Sequence, residues 1–304
     1  MSRSNALFVV KLLIGIGLIV LLVTQKGVWK GMIAAFQDVS APWLTAVFLM
    51  PLVLIFASCV KWRLILRYMK RDIGVWHLCK VYIVSYFFSN FLPGSLGGDF
   101  ARAYIVGQRV NSQVHSFAAV FLERLTGLIT LAVLAAGAYV VTPALRSEPV
   151  VSLSILALTG GCILLTLLMW SPLGGPRVAS RLQAIPYASR AFGKFAELRG
   201  SLAGFWVNRT LALKTIAYSL LFHALAVVNV YVAALALNVD VNFLVLCAVT
   251  PVVLVLASVP ITPSGIGVME WAYSLFLIPA GATMDEGLAI ALLHVSLAKD
   301  QRRR

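Results

Sequence analysis

The stretch Ser89-Asn90-Phe91-Leu92-Pro93-Gly94-Ser95-Leu96-Gly97-Gly98-Asp99 decides how this chain is read. The apolar run Val75–Leu92 stops there at a proline and clustered glycines, and the chain resumes through Phe100–Val110 after an acid. Composition says in which solvent the break occurs. Hydrophobic residues make up 61% of the 304 residues and charged ones 12%, with a mean hydropathy of +0.93. A soluble domain carries about 25% charged residues, so this apolar surplus needs lipid as its solvent. A soluble enzyme, a secreted disulfide scaffold and a disordered tail are excluded. The net charge of +14 does not point to nucleic acid, because the basic residues sit in short segments between apolar runs. That is the charge pattern of a multispanning membrane protein.

A helix needs about 20 apolar residues to cross the hydrocarbon core. Ala6–Val23, Pro42–Val60, Ser116–Val141, Val150–Trp170, Thr215–Leu237 and Asn242–Pro260 qualify as spans. Val75–Leu92, Val268–Ala280 and Gly287–Ala298 are apolar but interrupted. The four cysteines, Cys59, Cys79, Cys162 and Cys247, have no metal-like spacing and read as helix packing. Gln25, Lys26 and Gly27 follow the first run where a signal peptide would have small residues, so a retained first helix is expected.

Basic residues then set the orientation. Lys61, Arg63, Arg67, Lys70 and Arg71 follow the second span and are placed in the cytoplasm, as are the N-terminus, the segment 171–214 and Lys299 to Arg304. The segment 171–214 mixes apolar and basic residues and is expected to form amphipathic surface helices. Three apolar stretches separate the two basic loops, and three crossings would put those loops on opposite sides. The stretch at Val75 must therefore be re-entrant, turning at Pro93–Asp99. The short stretch Val268–Ala280 suggests a second hairpin around Pro260–Gly267, entering from the other side. The expectation is an all-α polytopic bundle with two re-entrant broken helices. It forms a single domain over 1–304, with halves at about 1–170 and 215–304, and an inverted repeat is compatible with the paired breaks.

The two turns resemble each other. Pro263-Ser264-Gly265-Ile266-Gly267-Val268-Met269-Glu270 repeats the proline, the glycines and the acid of the first break. Irregular backbone at membrane depth survives only where protein or a wet cavity satisfies it, and paired breaks point to a transporter's site. Together with Arg102 and Leu122-Glu123-Arg124-Leu125, these motifs resemble the lysylphosphatidylglycerol synthase transmembrane-region family of flippase-like proteins. The resemblance covers nearly the whole chain. It implies a lipid-handling protein of the inner (plasma) membrane; in the best-understood members this region moves an aminoacylated phospholipid, and a separate soluble unit transfers the aminoacyl group. The chain departs from that pattern at Gly287–Ala298, which is short for a last span.

Charges within apolar segments face cavities and pair. Asp99 and Arg102 share a helical face at a spacing of three, whereas the adjacent Glu123 and Arg124 diverge by about 100° and cannot share one partner. The glycines allow positive φ and close approach, and the half-helix N-termini offer N–H groups to phosphate. The expected headgroup site comprises Asn90, Gly94, Gly97, Gly98, Asp99, Arg102, Glu123, Arg124, Gly265, Gly267 and Glu270. The arginines would take a lipid phosphate, and the acids an amine or protons. A buried ion network that locks helices is the structural alternative. Tyr82, Tyr86, Phe87, Phe88 and Phe91 read as packing, as does Gly15-Ile16-Gly17, and the four histidines are scattered. No catalytic set, metal site or cofactor motif is found.

Membrane phospholipids, anionic or aminoacylated, are the expected partners. The leading reading is a flippase; a membrane subunit or enzyme of lipid or glycolipid synthesis, and a scaffold that docks partner enzymes, are the alternatives. Because each basic residue near an anionic surface contributes about 1 kcal/mol, a peptide spanning 177–209 is expected to bind phosphatidylglycerol vesicles more tightly than neutral ones. Equal partitioning in a flotation assay counts against a surface-lying loop.

Overall fold

The computed structural model describes residues 3–25, 27–91, 96–170, 204–259, 261–262 and 265–300. Its helices in chain order are α1 (Arg3–Val23), α2 (Val28–Ala35), α3 (Ala41–Tyr68), α4 (Val75–Phe91), α5 (Leu96–Arg109), α6 (Gln113–Val141), α7 (Pro149–Trp170), α8 (Arg209–Ala236), α9 (Phe243–Ser258), α10 (Val268–Phe276) and α11 (Met284–Asp300). Short 3₁₀ turns at Pro143–Ser147 and Ile278–Ala280 complete the described elements, and no strand occurs among them. Helices α3, α6, α7 and α8 are long and apolar enough to cross a membrane; α1 and α2, bent by 87° at their junction, form a fifth candidate as a pair.

Three long helices carry the architecture. Ser40 N–H donates to Ala236 O at 2.9 Å, so the start of α3 lies beside the end of α8 and the two run antiparallel. The buried apolar side chains fall into two clusters. One holds Cys59, Trp62 and Leu66 of α3, Ala118 and Leu122 of α6, Leu211 and Ala212 of α8, and Ala103 and Val106 of α5. The other holds Val47 of α3, Ala135 and Ala138 of α6, Val227 to Leu237 at the end of α8, and much of α9, α10 and α11. Thus α3, α6 and α8 thread both clusters, and each cluster receives one helical hairpin.

The hairpin of α4 and α5 packs where α3 ends and where α6 and α8 begin. The hairpin of α9 and α10 has its open ends at the other side of the bundle, where Asn242 N–H donates to Ala280 O at 2.8 Å. Charge separates in the same way. Arg63, Arg67, Lys70, Arg71, Arg109, Arg209 and Lys214 lie at the first end, here the basic end, with Asp72, and Asp38, Glu148, Asp240, Asp285 and Glu286 lie at the opposite one, with Lys30 and Arg146. Arg63 and Asp72 pair at 2.9 Å and fold the exposed loop 69–74 back on α3. The guanidinium holds the Asp72 carboxyl below the usual carboxylate range.

Several sequence expectations are corrected. Lys61 does not belong to a loop: α3 continues to Tyr68 because Cys59, Trp62, Leu66 and Met69 keep an apolar face at helical spacing, and Lys61 is buried on it. Asn242–Pro260 is not a full span, since α9 has 16 residues and ends at Ser258; that is about 24 Å at 1.5 Å per residue. Helix α8 starts at Arg209, earlier than Thr215, where the Asn208 side chain accepts the Leu211 N–H at 3.1 Å and caps the first turn. The expected surface helices of 171–214 lie outside the described residues as far as position 203.

The second hairpin is seated on backbone. Gly265 and Gly267 have φ of 71° and 83°, values that favour glycine. A Cβ on Gly15 would stand 2.8 Å from Ile266 O, and one on Gly267 would overlap the Gly15 carbonyl. Trp271 Nε1 donates to Leu18 O at 2.8 Å beside them. Of the Gly15-Ile16-Gly17 motif, Gly15 packs α1 on the hairpin turn, whereas Ile16 is exposed and Gly17 faces open space. Two outcomes follow. Single cysteines at Arg67 and Arg209 should react with an impermeant maleimide from one side of the membrane and a cysteine at Arg146 from the other. Gly267→Val should lower the melting temperature, whereas Gly17→Val, with open space at its Cβ position, should leave it nearly unchanged.

Candidate functional site

Four helices of the basic end meet around Arg102. Its Nη1 lies 2.6 Å from Glu123 Oε2, and its Nη2 and Nε lie 2.9 and 3.0 Å from Asp99 Oδ1. Asp99 Oδ2 in turn holds Arg124 Nε at 2.7 Å. The Tyr82 hydroxyl donates to Glu123 Oε1 at 3.1 Å, and Lys61 Nζ donates to the Glu123 backbone carbonyl at 2.7 Å. The Arg102 guanidinium also lies 5.1 Å from the Trp62 ring centroid and 4.7 Å from that of Tyr82.

Each contact has a local cause. Helix α5 begins at Leu96, so Asp99 lies in its first turn, where a carboxylate suits the helix dipole. One turn later Arg102 shares its face, as the spacing of three predicts. On α6 the neighbours Glu123 and Arg124 take different direct partners, Arg102 and Asp99, again as predicted. The pairs join end to end as Glu123–Arg102–Asp99–Arg124.

Burial grades along this chain. The side chains of Arg102, Glu123 and Asp99 are 3%, 8% and 13% exposed, and that of Arg124 is 48% exposed. A buried charge is tolerable only with close partners and its other hydrogen-bonding groups satisfied, and Arg102 has both. Desolvated cation–π contacts add about 2 kcal/mol. The balance is uneven, because Lys61, Arg102 and Arg124 face two carboxylates, leaving one positive charge in excess. Arg102 and Arg124 pair with those carboxylates, so the excess lies at the buried Lys61, whose Nζ meets the Glu123 carbonyl, while Arg124 stays half-exposed.

The chain belongs to the lysylphosphatidylglycerol synthase transmembrane-region family.

The family model matches residues 8–297. Comparison with curated proteins and with solved structures found no match. The family match spans both hairpins and the Arg102 network, so all the motifs that carried the resemblance fall within it.

Other expected site residues sit elsewhere. Gly97 and Gly98 are buried within α5 in helical conformation, not in a positive-φ turn. Gly94 and the side chain of Asn90 lie outside the described residues. Glu270 belongs to the other hairpin: its carboxylate accepts the Gly267 N–H at 2.7 Å and caps α10. That bond occupies an N–H expected to face a ligand, and no described hydrogen bond or ion pair joins Glu270 to Asp99. Gly267 serves the packing on α1, and Gly265 lies against the Ala257 backbone of α9.

Sequence reasoning missed Lys61, Trp62 and Tyr82. For the first two, the apolar spacing that runs on past Val60 was the available signal; Tyr82 looked like one more aromatic in an apolar run. Removing one partner of a buried pair costs about 3–5 kcal/mol. Arg102→Met should therefore destabilise the fold by that order, read as a lower melting temperature in detergent. Arg102→Lys should recover little of it, because an ammonium lacks the planar fork and stacks poorly.

Proposed function

We propose that this protein moves a phospholipid between leaflets, taking its phosphate at Arg124 and the mouth of the Arg102 network. The observation that carries this reading is a half-exposed arginine held through its Nε by the largely buried Asp99 at the open end of the ion-pair network. Free guanidinium N–H groups bind phosphate oxygens with charge-assisted hydrogen bonds. Asp99, one residue deeper, suits the amine of an aminoacylated or ethanolamine headgroup. Family membership supports a lipid substrate.

The architecture supports movement over static binding. Helix α3 packs on α4, α4 on α5, α5 on α6, and α3 on α6; in the second half α8 packs on α9, α9 on α10, α10 on α11, and α8 on α11. The two sets enter from opposite ends, and we read them as an inverted repeat of two re-entrant units. Such repeats underlie alternating access in many transporters. With the basic end in the cytoplasm, the headgroup site opens to the inner leaflet of a plasma membrane.

The test is reconstitution with fluorescent phospholipids and dithionite quenching. Arg124→Gln should slow lipid movement about tenfold or more, while the Arg102–Glu123 pair keeps the variant folded. Asp99→Asn should act most strongly on lipids that carry an amine. If both variants moved every headgroup at the wild-type rate, the network would be structural and the substrate site would lie elsewhere.

A further inference from the structure

One face of α8 carries Thr215, Ser219, His223 and Asn229, all within about 120° on a helical wheel at 100° per residue. They are 0%, 0%, 7% and 2% exposed, in a helix long and apolar enough to cross the membrane. Each keeps a buried polar atom without a partner among the described residues: Thr215 Oγ1, Ser219 Oγ, His223 Nδ1 and Asn229 Oδ1. On α6 the hydroxyls of Thr126 and Thr130 instead bond their own helix at 2.7 and 3.0 Å. The difference matters, because an unmade buried hydrogen bond is costly and such atoms are what ordered water satisfies in protein interiors.

Titratable groups lie within this line, at His223, and at its Asn229 end. His223 fits into the space left by Gly127, where an added Cβ would stand 3.4 Å from its Nε2 and 4.0 Å from Lys61 Nζ. Lys61 in turn donates to the Glu123 carbonyl of the headgroup network. About 9 Å further along α8, at 1.5 Å per residue, Asn229 Nδ2 and His294 Nδ1 of α11 are 3.0 Å apart. The His294 ring lies edge-on to Tyr273 of α10, centroids 5.8 Å apart, and the buried Tyr273 hydroxyl has no partner among the described residues. The ionisable groups on the helices packed against α8 are Cys59 and Lys61 on α3, Glu123 and Tyr139 on α6, Cys247 on α9 and His294 on α11, apart from those at helix ends and Arg124 at the surface. A polar seam thus runs through the bundle from one hairpin to the other.

We propose that this seam carries protons between the two hairpins, with His223 and His294 as its relays, and that proton flow along it drives the lipid movement proposed above. An imidazole takes a proton at one nitrogen and releases another from the second, returning to neutrality by exchange of tautomers, so no other reactant is needed. The coupling rests on the flippase reading; the pathway itself does not.

Proteoliposomes of phosphatidylcholine with phosphatidylglycerol, holding the full chain and a trapped pH-sensitive dye, read proton entry under a valinomycin potassium potential. The wild-type protein should admit protons several-fold faster than empty vesicles. His223→Gln and His294→Gln should each fall to the empty-vesicle rate, and Thr130→Val should keep the wild-type rate. Should His223→Gln fail to fold, Asn229→Leu, which removes the amide between the two histidines without touching a titratable group, carries the same expectation. A wild-type rate equal to that of empty vesicles, or a folded His223→Gln at the wild-type rate, overturns the pathway. Proton entry without movement of any fluorescent lipid overturns the proposed function and leaves the pathway standing. Lipid movement at an unchanged rate after a protonophore collapses the gradient overturns the coupling alone.

Discussion

A guanidinium in a lipid-facing bundle must be paired or it will not stay, and Arg102 is paired on every side. Its three nitrogens are shared between Asp99 and Glu123, and its flat face lies against Trp62 and Tyr82. Those partners come from α5, α6, α3 and α4, so one side chain fixes how the first hairpin sits against the long helices. The same pairing sets what stays outside it. Arg102 takes Oδ1 of Asp99, which leaves Oδ2 for Arg124 and so holds a second guanidinium half in the open. Structural locking and the proposed headgroup recognition are thus successive links of one chain. An account of the acids and arginines as purely structural explains the buried links but gives the exposed one no task.

The second hairpin reaches a similar place by other means. No ion pair anchors it among the described residues. Two glycines with positive φ shape the turn, Gly267 bringing it against the α1 backbone and Gly265 against α9, and Glu270 closes the α10 N-terminus. The resemblance between the two turn sequences therefore conceals a difference in what their acids do. Asp99 sits in the first turn of its helix and reaches sideways to arginines, whereas Glu270, three residues after Gly267, reaches back to its own cap. An acid after a glycine pair is compatible with either role, and what decides is whether a cation stands beside it. Arg102 and Arg124 provide one for Asp99; α10 carries no basic residue.

The fold was largely legible because it rests on one-dimensional signals. Apolar length located the long helices, Pro93 and the glycines located the first break, and the parity of basic loops required a hairpin between α3 and α6. Spacing rules also anticipated the Asp99–Arg102 pair and the divergence of Glu123 from Arg124. What escaped was whatever depends on contact between distant segments. Lys61 looked like the first residue of a basic loop, since the sequence does not announce that Glu123, 62 positions away, offers it a carbonyl. Tyr82 looked like packing because its hydroxyl acquires a purpose only when Glu123 lies opposite. Glu270 was misjudged for the converse reason, its partner being three residues away rather than across the bundle.

The histidines mark the limit of reading by motif. Scattered at 77, 115, 223 and 294, they match no metal or catalytic spacing. Helical periodicity nevertheless puts His223 on one face with Thr215, Ser219 and Asn229, and folding brings His294 to Asn229. Polar side chains in a spanning helix are costly when they lack partners, and α6 shows how cheaply a threonine satisfies itself on its own helix. Thr215 and Ser219 forgo that arrangement at sites that are wholly buried. The hydrophobic effect would favour alanine or valine at such positions, so the groups that remain impose a cost that packing alone does not offset. A seam joining a hairpin fixed by ion pairs to one fixed by backbone contact gives that cost a use, because a proton arriving beside Lys61 alters the electrostatics of the network that holds Arg124.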